Sequence, residues 1–203
     1  KGEAHGVDFA ELLARLDAIE GDFVLRFMTS HPKDASIELI DAIAKYSPKI
    51  APFFHLPLQS GSDSVLKVMN RHYDSAHYLE TVRKLKEAMP EITLTTDIIV
   101  GFPGETYKDF ADTVSLIKEV GYQSLFTFIY SPRKGTRAAE MPYPVSRQEK
   151  QVWFDRLLEL QNTISREKND PFVGKTLPVL LDGYSEDENY TYTGRTEGFK
   201  LVH

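Results

Sequence analysis

The sequence predicts an α/β fold in which parallel βα units pack as a sheet or barrel, followed by a small β unit that begins near residue 170. Three observations carry this prediction. Short apolar runs alternate with amphipathic stretches of helical period between Phe9 and Tyr130. Capping and stop residues punctuate them, as at Asp74 and Pro90. From Phe172 the helical period is lost, and the remaining apolar residues flank a polar turn, Tyr184 to Tyr190.

Asp8 followed by Glu11 reads as a capping box, opening a helix with the stripe Phe9, Leu12, Leu13, Leu16 and Ile19 that Gly21 closes. Phe23 to Met28 reads as a strand, and after the turn Ser30 to Asp34 a helix runs near Ser36 to Lys45. Pro48 and Pro52 lead into the next strand, Phe53 to Leu58. The turn Gln59 to Ser62 starts a short helix through Met69, and Asp74 caps a longer one carrying Tyr78, Val82, Leu85 and Met89. Ile92 to Val100 is a strand, Thr106 to Val120 a helix stopped by Gly121, and Ser124 to Tyr130 a strand. A loop rich in proline and basic residues, Ser131 to Val145, precedes a capping box at Ser146 and Glu149. The helix that follows reaches about Lys168, and its stripe of Trp153, Leu157, Leu160 and Ile164 reads as core packing. Thr176 to Leu181 and Tyr190 to Gly194 are candidate antiparallel strands, with Pro178 keeping the first at a sheet edge.

Composition limits the function. The 203 residues, 41% hydrophobic and 27% charged, suit one globular domain or one domain plus a small appendage. No apolar run approaches the roughly 18 residues of a membrane span, and the start KGEAHG lacks a signal-peptide pattern, so the chain reads as cytoplasmic with no membrane partner. A net charge of -6 gives no global case for nucleic acid, which would have to bind a local basic patch. With no cysteine, these residues hold no disulfide and no thiolate-ligated zinc or iron-sulfur site. None of the six histidines pair at helical ligand spacing, and no metal site is expected.

Ligands of parallel βα folds sit beyond the carboxyl ends of the strands, here the loops TSHPKD, LQSGSD, GFPGET and YSPRKGT. Asp97 interrupts the apolar strand before GFPGET, where a carboxylate is costly unless paired with a ligand or a salt-bridge partner. Gln59 and Asp97 together suit neighbouring hydroxyls such as those of a ribose. Arg71 either pairs a ligand carboxylate or forms a surface ion pair at a helix end. Gly101 and Gly104 make a tight turn or admit a ligand closely, and Ser60, Ser62 and Asp63 cap the next helix or touch the ligand. His31 and His55 read as hydrogen-bonded barrel residues. Arg133, Lys134 and Arg137 form the dense basic cluster, suited to phosphate or simply solvated.

Taken in order, RFMTSHPKD, HLPLQSGSDSVLKVMNRHY, TTDIIVGFPGET and FTFIYSPRKGTRAAEM resemble the radical S-adenosylmethionine methylthiotransferases, most closely the branch acting on N6-dimethylallyladenosine in tRNA. The segment with VGKTLPVLLDG and TGRTEGFKLV is similar to the start of the RNA-binding TRAM domain of that family. The resemblance implies a partial TIM-like (β/α) barrel over residues 1–170 and the opening part of a TRAM-like β domain over 171–203. It implies S-adenosylmethionine and two 4Fe-4S clusters in the intact protein, an electron donor such as flavodoxin or ferredoxin, and tRNA as substrate. In the family, a 5'-deoxyadenosyl radical takes hydrogen from C2 of an anticodon-loop adenine, which then gains a methylthio group. By the same resemblance Gln59 and Asp97 bind the ribose of S-adenosylmethionine, Arg71 meets its methionyl carboxylate, Ser30 lines the methionyl group, and Val100 and Gly101 flank the adenine. The family's CxxxCxxC triplet is absent, so the chain reads as an internal fragment, inactive by itself. Rival readings are the branch acting on threonylcarbamoyladenosine and a non-catalytic RNA-binding barrel; the basic residues of YSPRKGT disfavour the ribosomal-protein branch.

Overall fold

The computed structural model describes residues 6–27, 31–46, 49–142 and 145–203. Its first part runs α1 (Phe9–Asp17), α2 (Ile37–Lys45), β1 (Phe53–His55), α3 (Asp63–Val68), α4 (Ser75–Ala88), β2 (Thr93–Val100), α5 (Tyr107–Val120), β3 (Ser124–Ile129) and α6 (Arg147–Asn169). β4 (Val179–Tyr184), β5 (Tyr192–Thr196) and β6 (Leu201–Val202) follow.

β1, β2 and β3 form a parallel sheet in that order, with Phe54 opposite Leu94, Asp97 opposite Phe126 and Ile99 opposite Phe128. The two-residue period of a strand divides β2. Leu94, Ile98 and Val100 point into the core with Tyr78, Leu85, Phe110 and Ile117, whereas Asp97 and Ile99 are half-buried on the opposite face. Phe126 and Phe128 share that face and stay about half exposed. The same sheet therefore has one face sealed by helices and one able to meet a ligand.

The sequence expects β1 to reach Leu58, but the ladder stops at His55: the Leu56 N–H still bonds the Thr95 carbonyl, whereas the next donor facing β2, the Leu58 N–H, goes to a side chain instead of the β2 backbone. Side chains take over. Thr96 Oγ1 donates to the Leu56 carbonyl at 2.7 Å and accepts the Leu58 N–H at 2.8 Å. The Tyr122 hydroxyl donates to that of Tyr78, which donates to the same Leu56 carbonyl at 2.7 Å. The expected strand Phe23 to Met28 is reduced to one parallel bridge between Leu25 and Ile50, and Met28 lies outside the described residues.

Asp8 caps α1 by accepting the Glu11 N–H at 2.7 Å, but the box is not closed, because Glu11 binds Arg15 instead. Complete capping boxes open α5 at Thr106 and Asp109 and α6 at Ser146 and Glu149. α6 lies against the sheet as its stripe predicts: Trp153 stacks on Phe110 with centroids 5.1 Å apart, and Leu157 and Ile164 are buried. β4, β5 and β6 form an antiparallel sheet. β4 begins just after Pro178 and lies at the sheet edge. Phe199 touches Phe53 at 4.7 Å between centroids, and the Thr196 carbonyl accepts from Arg26, so this sheet packs beside β1.

Candidate functional site

A cleft of about 1300 Å³ opens at the carboxyl ends of β2 and β3. Gln59, Arg71, Asp97, Arg133 and Arg137 line it together with Ile99, Phe128 and Met141. Residues separated by almost eighty positions thus meet because each follows a strand or its helix.

Gln59 is buried and has φ of 72°, a left-handed backbone that non-glycine residues rarely adopt. Its N–H donates to the Asp97 carbonyl at 2.8 Å, and its own carbonyl accepts the Ile99 N–H at 2.9 Å. The loop after β1 is thereby fastened alongside β2 at Asp97. Strained backbone of this kind persists where its surroundings enforce it, and such positions cluster at ligand sites. Asp97 also has a partner within the protein, since its Oδ1 lies 3.5 Å from His55 Nε2. His55 is held in turn by Thr95 Oγ1 at 2.9 Å, in line with its reading as a hydrogen-bonded barrel residue.

Asn70, with φ of 58°, ends α3, and the Arg71 N–H bonds the Leu66 carbonyl at 2.9 Å. This turn brings the Arg71 side chain to the cleft, where its Nη1 lies 3.2 Å from His31 Nε2. The small residues before α3 serve packing. Gly61 abuts the backbone of Thr113 so closely that an added Cβ would fall 2.6 Å from its Cα. Ser62 and Ser64 donate to the Asp109 carboxylate at 2.5 and 2.6 Å. Burial raises the Asp109 pKa, but these bonds and those from Thr106 outweigh it and hold the carboxyl well below the usual range. Asp63 accepts the Ser75 N–H at 2.7 Å. These side chains knit α3, α4 and α5 together.

Glu105, just before α5, is a site residue that the sequence analysis does not single out: it is 2% exposed, and its carboxylate accepts the N–H groups of Gly101 at 2.5 Å and Phe102 at 3.1 Å. Burial pushes its pKa up to about 7 against the pull of those donors. The sequence signal was a carboxylate four residues after a glycine at a strand end, a spacing that folds back on the loop. Gly101 itself has φ of 72° and lies under the stem of Lys150, where a Cβ would collide with Cγ and Cδ. Val100 faces the core, and its carbonyl accepts the Tyr130 N–H at 2.8 Å. Neither Val100 nor Gly101 is among the side chains lining the cleft.

Of the basic cluster, Arg133 and Arg137 line the cleft; Lys134 is exposed and does not. Ser30 lies outside the described residues. Among the described residues no group of three or more His, Cys, Asp or Glu side chains is arranged to hold a metal, and no helix is long and apolar enough to cross a membrane.

Residues 3–117 match the Radical SAM superfamily. The chain is 52% identical over 197 residues to a tRNA-2-methylthio-N(6)-dimethylallyladenosine synthase of Clostridium botulinum, covering 97% of this chain and 44% of that protein. It is 50% identical to the protein of the same name from Alkaliphilus oremlandii, covering 98% of this chain and 42% of that one. The chain therefore spans less than half the length of these relatives. Among solved structures, the Radical SAM enzyme coproporphyrinogen III oxidase (HemN) from Escherichia coli superposes with a TM-score of 0.57 at 17% identity, over 67% of this chain and 31% of that one. Elp3 from Methanocaldococcus infernus gives 0.51 at 17% identity, over 62% of this chain and 30% of that one. The parallel sheet, the loops at its carboxyl edge and the match over more than half its residues place this chain in the radical SAM superfamily.

Proposed function

We propose that the cleft binds S-adenosylmethionine and that the chain is the barrel portion of a tRNA methylthiotransferase acting on N6-dimethylallyladenosine. Gln59 carries this reading: it is buried in a strained conformation that fastens its loop to the Asp97 backbone, and both residues line the cleft. The amide donates and accepts, the carboxylate accepts, and together they match the adjacent hydroxyls of a ribose. Arg71 offers a cationic fork for the methionyl carboxylate. Val100 and Gly101 contribute backbone beside the adenine; Ser30, outside the described residues, keeps its assignment to the methionyl group from the family resemblance.

The donor set fits S-adenosylmethionine but not iron, since the chain has no cysteine. In this reading a cysteine-bearing segment supplies two 4Fe-4S clusters, and flavodoxin or ferredoxin supplies the electron. S-adenosylmethionine, once bound with the cluster, provides the radical chemistry that removes hydrogen from C2 of the adenine. The cleft residues bind and orient it. Residues 1–170 form the partial barrel, and 171–203 open a TRAM-like unit that, with Arg133, Lys134 and Arg137, holds tRNA in the cytoplasm. The names and near-full coverage of this chain by its relatives support the substrate.

The test is restoration of 2-methylthio-N6-dimethylallyladenosine in the tRNA of cells lacking that modification, by a protein of the relatives' length containing this chain. Product in the wild type and none with Asp97→Ala supports the reading. Methylthiolated threonylcarbamoyladenosine instead would move the substrate to the other branch, and no product with intact RNA binding would favour a non-catalytic barrel.

A further inference from the structure

His31 meets two hydrogen-bond donors. Its Nδ1 accepts the Lys33 backbone N–H at 3.2 Å, and its Nε2 lies 3.2 Å from Arg71 Nη1. A neutral imidazole has one accepting nitrogen and one N–H, whereas a guanidinium only donates. With Nδ1 engaged by Lys33, the ring proton sits on Nε2 and faces Arg71, donor against donor. The other tautomer accepts from Arg71 but sets its Nδ1–H against the Lys33 N–H. Protonation offers no escape, because an imidazolium donates from both nitrogens and would face both donors; burial, and then the Arg71 charge, also lower the His31 pKa. The ring cannot easily turn away: it packs edge-on against Tyr73, with centroids 5.6 Å apart, and the Tyr73 hydroxyl is tied to the Leu58 carbonyl at 2.9 Å.

An anion resolves the conflict by accepting from both groups. We propose that His31 Nε2–H and Arg71 form a two-donor site for a carboxylate, that of the methionyl group of S-adenosylmethionine. This rests on the cleft's being an S-adenosylmethionine site and moves His31 from the barrel scaffold to the ligand. A neutral imidazole and one guanidinium carry a single positive charge, matching a monoanion. A phosphodiester of RNA has the same charge, and the experiment separates the two sources.

Titration calorimetry compares S-adenosylmethionine with 5'-methylthioadenosine, which keeps the adenine and ribose but has no amino-acid group. His31→Ala is expected to weaken S-adenosylmethionine binding about tenfold, the scale of one hydrogen bond to a charged group, and to leave methylthioadenosine unchanged. His31→Gln, which keeps a donor, recovers part of the loss. Arg71→Ala has the same ligand selectivity, and the double variant loses less than the sum. In the complex, nitrogen NMR of His31 shows the proton on Nε2. Equal effects on both ligands, no effect on either, or a proton on Nδ1 in the complex would overturn the proposal. So would a loss of RNA affinity with S-adenosylmethionine binding intact, which assigns the site to phosphate. If the wild type binds both ligands but His31→Ala loses no affinity for S-adenosylmethionine, this site alone fails; if the wild type binds neither ligand, the reading of the cleft fails with it.

Discussion

The Glu105 carboxylate accepts the Gly101 N–H at 2.5 Å and thereby closes the GFPG loop from beneath, at a point that is 2% solvent-exposed. Asp109 opposes its ionisation and Lys150 favours it, but burial dominates and its pKa rises to about 7. For an acid whose folded pKa lies above its unfolded value near 4.5, the native state binds more protons between those values. Stability from this group is therefore present at low pH and is lost as pH rises from about 4.5 through 7. Relative to Glu105→Gln, which does not titrate, the wild type should lose roughly 3 kcal/mol of unfolding free energy across that window. Urea denaturation at pH 5 and pH 8 checks this; parallel pH profiles would show that Glu105 does not titrate as described.

Gly101 and Gly104 both have positive φ, but they differ in what surrounds them. A Cβ at Gly104 meets nothing within 4 Å, so Gly104→Ala should cost about 1 kcal/mol from backbone strain alone. Gly101→Ala adds a collision with the Lys150 stem and should cost more. Introducing Lys150→Ala should remove the excess. Thermal denaturation of the four proteins measures this, and equal costs at both glycines would contradict the packing account.

Much of this architecture was legible because its signals are local. The capping pair Ser146 and Glu149, the stop at Pro90 and the stripe Trp153, Leu157 and Ile164 each act within a few residues, and the structure uses them as read. The lengths of β1 and the expected Phe23 to Met28 strand depend on which neighbour offers hydrogen bonds, which Thr96 and Ile50 decide from afar. At the site, Gln59, Arg71 and Asp97 were readable as polar residues in strand-end loops. The burial of Glu105, the lysine stem above Gly101 and the meeting of His31 with Arg71 are tertiary facts, with partners up to about fifty residues away.

Arg133 and Arg137 face the cleft whereas Lys134 faces solvent, so the three should not contribute equally to RNA binding. Replacing all three by Ala should lower affinity for an anticodon stem-loop. The dependence of log K on log salt should become shallower by about 0.7 for each single-strand phosphate that is no longer neutralised. Lys134→Ala alone should account for the smallest part. Filter binding over a salt series measures both, and an unchanged slope would remove this loop from the RNA surface.

Gln59 and Asp97 are assigned to a ribose, and the function of the cleft depends on that assignment. Calorimetric titration with 5'-methylthioadenosine tests it most directly, because that ligand presents the ribose without the methionyl group. Measurable binding to the wild type is expected, with a loss of about tenfold or more in either Asp97→Ala or Gln59→Ala, each removing a hydrogen bond to the hydroxyls. Unchanged affinity in both variants would contradict the assignment.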